Sequence, residues 1–377
     1  MNKILHFIVL FCLLILSCVE PYWPDLEGEG SALVVDALIT DDPDNVYVSL
    51  SLSAPVDNQE FIPVTGATVF VTDNLGNRFS FRDSANGKYY PIDFAGIAGR
   101  SYMLTVLLEN GKQYSSGFQQ LIAMDVFDSI HYKVEAQPNS NPLYPTEGAR
   151  FYLDNIPSGP TDTYYLFQLI ETYRYHVDFR LVYTYYDLTL HDVIPTPPML
   201  CWKTAKVDGF FMYRSLSQSG IQAEPFPIHL VLFDTKRFSE RYSILVKQIS
   251  VSKEVFDFYS EVYRQNNAGS TFAIQPYNVI GNVKCVTNPE ETVHGSFVVG
   301  GIKVKRAFFN RPRNVRFTYQ KCTAITEMVG TIIFGSGTAE QPIYLTLIEG
   351  GLGFAEPECF LCSESGGTSE KPDFWED

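Results

Sequence analysis

The chain has 377 residues, 45% of them hydrophobic and 19% charged, enough apolar surface for real cores and too little charge for a disordered polymer. Its 43 acidic residues against 28 basic ones leave a net charge of -15, which argues against nucleic acid as a partner and against a polybasic membrane patch.

The first segment is a leader. Lys3 gives a positive start and Ile4 to Leu16 form an uncharged apolar run. A run of roughly 13 residues is shorter than the ~20 that span a bilayer, so it reads as an export signal. Ile15-Leu16-Ser17-Cys18 has the form of a lipoprotein box, in which a small residue precedes the cysteine that becomes the acylated N-terminus. Residues 1–17 are therefore expected to be removed and Cys18 lipidated; two or more acyl chains anchor a protein stably where one does not. After the leader there is no apolar run of 18 residues or more, so no transmembrane helix is expected. Residues 18–30, with two prolines, two glycines and four acids, read as a flexible tether.

Residues 31–118 read as a β-sandwich domain of immunoglobulin-like or prealbumin-like form. Short strands are predicted at 33–39, 46–52, 67–73, 78–83, 88–92 and 101–108. Between them sit turn signals such as Asn86-Gly87 and Asn110-Gly111, residues that tolerate the positive φ of tight hairpins. A linking segment (119–150) follows, ending in a Pro/Asn/Ser-rich stretch.

Residues 151–377 read as a second, mostly β domain with one short amphipathic helix. Its most unusual stretch is Tyr164 to Leu188, where odd positions from Tyr165 to Tyr185 are apolar or aromatic, broken only by Glu171. Even positions include Arg174, His176, Asp178 and Arg180, so one face is apolar and the other mostly polar. Because the parity holds throughout, either one long strand runs through or a three-residue loop near His176-Val177-Asp178 joins two; the loop is expected, since strands are usually about 5–6 residues long. Further strands are predicted at 206–213, 228–233, 242–250, 293–308, 314–320, 330–334 and 343–348. Ser252 is placed to cap a helix whose Val255, Phe258, Tyr259, Val262 and Tyr263 share one face, closing at Asn266 to Gly269.

Cys12 leaves with the leader and Cys18 is expected to take lipid, so five cysteines remain: Cys201, Cys285, Cys322, Cys359 and Cys362. In an exported protein that allows up to two disulfides and one thiol, with no pairing set by spacing. Cys359-Phe360-Leu361-Cys362 has the spacing of a redox pair but lacks the βαβ surroundings that lower the first thiol's pKa. A structural disulfide, internal or to Cys201 and Cys322, is the better reading. No P-loop, nucleophile elbow, dinucleotide glycine pattern or zinc spacing occurs, so no catalytic residue, metal or cofactor is predicted. Tyr164, Arg174, His176, Arg180 and Tyr186, on the polar face of the aromatic stretch, are the candidate contact surface.

Several phrases resemble a known family. They are ALVVDALI near the start, VTGATVFVTD with GKYY following, Cys201-Trp202, RYSILVKQISVSKEVFDFY (241–259), GNV (281–283), VHGSFVVGGIKVKRAFF (293–309), and the ending ECFLC…GGTSEKPDFW (358–375). Together they resemble domain-of-unknown-function family 4249, found among Bacteroidetes lipoproteins, over nearly the whole mature chain. Glu20, Asp25, Glu27 and Glu29 after Cys18 also resemble the surface-export signal of such lipoproteins. The resemblance implies an outer-membrane lipoprotein, lipid-anchored at the cell surface or else on the periplasmic face, acting beside a TonB-dependent receptor. It also implies cysteines recurring at Cys201, Cys322, Cys359 and Cys362, with Cys285 the odd one out, and it carries no catalytic residues. The expected function is thus a non-enzymatic accessory in nutrient uptake, of unknown ligand. A surface hydrolase of glycans or peptides, and an adhesin or envelope-assembly lipoprotein, are the alternatives.

Overall fold

A computed structural model gives the architecture; the residues described are 32–53, 61–137, 145–159, 161–216, 224–267, 279–326, 341–349 and 351–377. The chain is mostly β, in several sheets, with one α-helix among the described residues. The first strands are β1 (Leu33–Ile39), β2 (Tyr47–Leu52), β3 (Ile62–Pro63), β4 (Thr68–Asp73), β5 (Arg78–Asp83), β6 (Lys88–Pro91), β7 (Ser101–Leu107), β8 (Gln113–Ser116) and β9 (Gln119–Gln120). Next come β10 (Ser129–Gln137), β11 (Thr146–Asp154), β12 (Thr163–His176), β13 (Tyr183–Tyr186), β14 (Thr189–Asp192), β15 (Leu200–Lys206), β16 (Phe211–Ser215), β17 (Phe226–Leu232) and β18 (Arg241–Val251). Helix α1 (Lys253–Asn266) precedes β19 (Val283–Cys285), β20 (Val293–Val299), β21 (Ile302–Asn310), β22 (Ile343–Ile348) and β23 (Gly351–Phe354).

Alternation builds the N-terminal unit. Odd residues of β1 (Leu33, Val35, Ala37, Ile39) turn inward with Val48, Leu50, Val69, Val71, Leu104 and Val106 to form one core, while even residues face out. The strands follow one hydrogen-bonded path, β19-β8-β7-β4-β5-β6-β2-β1-β20, whose two ends come back into contact, a sandwich-like arrangement. Both ends come from far down the sequence. β20 pairs with β1 in parallel, Leu33 opposite Val293 and Ile39 opposite Val299, and β19 pairs with β8. Residues 283–299 therefore belong to the N-terminal sheet, and position 118 is not a boundary of that sheet.

The second unit stacks two sheets. β10-β11-β17 lies against β15-β12-β18-β21, and Phe151, Leu153, Val231, Tyr165, Phe167, Leu169, Tyr242, Ile244 and Val246 fill the space between. The 119–150 stretch is thus not only a link: β10 pairs with β11 along its whole length. The other face of the β12–β18 pair also packs. Ile249, Val251 and Ile302 meet Leu38 and Val298 of the N-terminal sheet, with Val255 of α1. Covered on both faces, β18 is buried along most of its length, even at its polar Ser243, Gln248 and Ser250.

Four sequence expectations change. The aromatic stretch is not a hairpin: β12 runs unbroken for 14 residues and pairs with β15, β16 and β18, whereas β13 joins a separate sheet with β14, β22 and β23. The parity held because both segments turn odd residues inward, in different cores. The expected 293–308 strand divides at Gly300-Gly301, where the chain crosses from one sheet to the other. A Cβ at Gly300 would lie 1.7 Å from the Ser250 carbonyl oxygen, so only glycine permits that approach. Residues 314–320 form no ladder, Asn314 lying in a bend at φ 61° and Val315 and Phe317 packing on the second core, and 330–334 lies outside the described residues. Segment 206–213 is likewise the end of β15, a turn, and the start of β16.

Candidate functional site

The five residues of the predicted contact surface do not converge. Tyr164 and Arg174 stand ten residues apart on β12, about 33 Å along a strand. Tyr164 sits against Phe256 of α1, ring centroids 5.1 Å apart, with the Arg214 guanidinium 5.8 Å above it. Arg174 and His176 meet, since both hold Glu240; Arg174 Nε donates over 3.0 Å and its Nη1 reaches Asp377 at 3.1 Å. Arg180 donates to Thr196 Oγ1 at 3.0 Å, and Tyr186 stacks on His191 at 3.9 Å in the small sheet. Arg174, His176 and Arg180 are engaged by residues outside this set, and the five are spread over separate places. They form no single site.

The cysteines do converge. Cys201 bonds to Cys362, and Cys322 to Cys359, while Cys285 is a buried thiol of the N-terminal core. The two sulfurs of the C-x-x-C segment thus belong to different bridges and cannot act as a redox couple with each other. They fasten the C-terminal tail across the end of β15, where Thr368 exchanges backbone hydrogen bonds with Trp202 and Trp375 is buried.

The groups that do gather around open space lie where the two units meet. A cavity of about 250 Å³ is walled by β1 and β2 on one side and by β12, β15, β16 and α1 on the other. Its position follows from alternation: β1 points odd residues into the N-terminal core, so Asp36 and Leu38 face the second unit. Asp36 is the charged residue of an otherwise apolar strand. Its carboxyl is wetted by the cavity yet surrounded by protein, and this desolvation pushes its pKa above the usual carboxylate range. The Tyr47 hydroxyl, 3.3 Å from both oxygens, and the more distant charge of Lys206 pull the other way and do not cancel it. The same enclosure, reinforced by Asp36, pushes the phenols of Tyr47 and Tyr259 upward, so both remain protonated donors at neutral pH. Gln168 and Lys206 add an amide and an ammonium, and Phe210, Phe211 and Met212 give an apolar wall. A second cavity of about 430 Å³ adjoins it, sharing Asp36, Phe210 and Tyr259 and adding His294 and Ser296 of β20.

Sequence reasoning passed over Asp36, although one acid among six apolar residues of LVVDALI is a signal. It also passed over Glu171. That carboxylate is buried in the second core, accepting from the Tyr242 hydroxyl at 2.9 Å and facing Arg237 Nη1 at 3.3 Å, with His229 Nε2 at 3.5 Å. Burial pushes its pKa up, but His229, Arg237 and Tyr242 together outweigh burial and hold it below the usual value. The cluster plugs a core and opens into neither cavity. No group of three or more His, Cys, Asp or Glu among the described residues is placed to hold a metal ion.

The comparison with known families decides what the chain is related to. Residues 19–306 match the family described as a domain of unknown function (DUF4249). The chain belongs to the DUF4249 family. The match takes in the whole N-terminal sheet with β19 and β20, and most of the second unit, so both walls of the junction cavity are family structure. It ends within β21, leaving the disulfide-fastened tail of this DUF4249 member beyond the matched residues. No curated protein and no solved structure matches the chain.

Proposed function

We propose that this DUF4249 protein is a lipid-anchored binding protein of the outer membrane, an accessory to a TonB-dependent transporter in nutrient uptake. The observation that carries the reading is the junction cavity, a concave, aromatic-lined space with a few polar groups aimed into it, the usual makeup of a small-molecule site. The anchor at Cys18, which lies outside the described residues, supplies the second part. A tethered binding domain meets its transporter at an effective concentration set by the tether, without any new contact. The surface face of the membrane, where nutrient is met first, suits this role. None of the helices among the described residues is long and apolar enough to cross a membrane.

The test is affinity purification of the tagged full chain from detergent-solubilised outer membranes across several growth conditions. A TonB-dependent receptor is expected among the recovered proteins, and recovery of none in any condition would count against the role. A surface hydrolase is the second reading, favoured by the upward shift of Asp36, the state that a general acid needs. A glycosidase, though, places two carboxylates across the scissile bond, and the described residues around this cavity supply one. Turnover of a glycan or peptide, abolished by Asp36→Asn, would move the assignment to that reading.

A further inference from the structure

The cavity's own charges narrow what it takes. Asp36 engages Tyr47 through one hydroxyl shared over 3.3 Å between both oxygens, which leaves most of its acceptor capacity unused. Ser296 lies directly opposite Asp36 in the parallel β1–β20 register. It is 2% exposed, and its hydroxyl has no hydrogen-bond partner among the described residues. A buried hydroxyl without a partner is uncommon, and here it borders the adjoining cavity of about 430 Å³, which shares Asp36, Phe210 and Tyr259 with the first. Lys206, an exposed residue at the end of β15, lines the 250 Å³ cavity together with Asp36. Its positive charge is felt by Asp36, but among the described residues its ammonium makes no ion pair with that carboxylate or with any other group.

Two opposite charges therefore face one cavity without touching. A simple cation attracted to Asp36 is opposed by Lys206, and a simple anion attracted to Lys206 is opposed by Asp36. A neutral ligand leaves both charges poorly compensated as water is displaced. A ligand carrying both charges satisfies both. We infer that the cleft binds a small zwitterion of the free α-amino-acid class. Its ammonium lies between Asp36 and Ser296, its carboxylate points to Lys206, and an apolar side chain lies on Phe210, Met212 and Tyr259. The volume of about 250 Å³ sits below the usual ~300–1,000 Å³ of small-molecule pockets, which fits a ligand of this size.

This inference rests on reading the cavity as the ligand site of the anchored accessory, and the experiment separates the two. The full-length chain in detergent is titrated calorimetrically with each standard free amino acid, then with the N-acetyl and amide forms of those that bind. Saturable binding of at least one apolar amino acid is expected. N-acetylation and Asp36→Asn should each weaken it about tenfold or more, and so should amidation and Lys206→Met. Ser296→Ala should weaken binding while leaving the melting temperature unchanged or higher, because it removes a polar group that lacks a partner in the free protein. Circular dichroism checks that every variant folds. Absence of binding by every amino acid at millimolar concentration, or equal binding of the acetylated form, overturns the inference. If Asp36→Asn still recovers the receptor while no amino acid binds, the ligand inference falls and the accessory role stands.

Discussion

Removing the Glu171 carboxylate should be the most damaging single change in the second core. It leaves Arg237, His229 and the Tyr242 hydroxyl facing a void, and breaking a buried ion pair typically costs about 3–5 kcal/mol. Its pH dependence has a definite sign. Because the folded carboxyl titrates below the usual value of about 4.3, its contribution is complete above that pH and disappears as pH falls through the folded pKa. Denaturant unfolding of Glu171→Ala should show a gap from the parent at pH 6–7 that narrows below about pH 4; a gap independent of pH would contradict the ion-pair account. Asp36 should behave oppositely. Its folded pKa is raised, so ionisation opposes folding, and Asp36→Asn should raise the melting temperature at neutral pH. That gain should fade as pH falls through the raised folded pKa and be gone below about 3.9, where the unfolded carboxyl is also protonated. Both acids interrupt apolar patterns in the sequence, yet the pattern alone does not say that Glu171 has buried partners and Asp36 faces a cavity.

Elements were legible where their signals are local. Strands β1, β5 and β22 fall on their predicted spans because alternation and flanking turn residues are properties of short windows. The helix was equally plain: the Ser252 hydroxyl accepts from the Val255 amide at 3.3 Å and donates to Gln119 Oε1 at 3.0 Å. Ser252→Ala should cost about 1 kcal/mol in chemical denaturation, and no change would show the cap to be idle. Strand β10 was hidden because only partial burial marks it, its partner β11 supplying the core residues. The expected loop at 176–178 does begin where β12 ends, but the strand beyond it joins another sheet, because parity records which side a residue faces, not which sheet it is in. The cysteine pairing was illegible for the same reason, being fixed by how the tail crosses β15. The bridges close sequence separations of 161 and 37 residues. Taken singly, chain entropy gives such loops about 5 and about 4 kcal/mol, less in combination because one lies inside the other. Reduction should therefore lower the melting temperature and make the tail beyond Phe354 the first site of limited proteolysis. An intact tail after reduction would show that packing of Trp375 alone secures it.

At the scale of the whole molecule, the N-terminal sandwich depends on strands from the far end of the family region. No local signal announces a parallel pair of segments more than 250 residues apart, Leu33 with Val293, so the sequence reading stopped the domain at 118. Without residues 283–299 the sheet loses both ends of its path, and its core loses Val283, Cys285, Val293, Phe297 and Val299. A fragment covering 32–121 should accordingly show no cooperative melting and a collapsed amide spectrum, whereas a sharp thermal transition would mean the first strands suffice. The same crossover places β1 and β20 beside β12, β15 and α1, which is how the cavity forms. That topology was not readable, although the family phrases VHGSFVVGG and ALVVDALI contain both strands. The functional account joins this cavity to an anchor, and the anchor is the more directly measurable half. Mass spectrometry of the mature N-terminus purified from the envelope should find residues 1–17 removed and a diacylglyceryl-modified Cys18, with or without a further acyl chain on its amino group. A mature chain with an unmodified cysteine at that position would contradict an envelope-tethered binding protein.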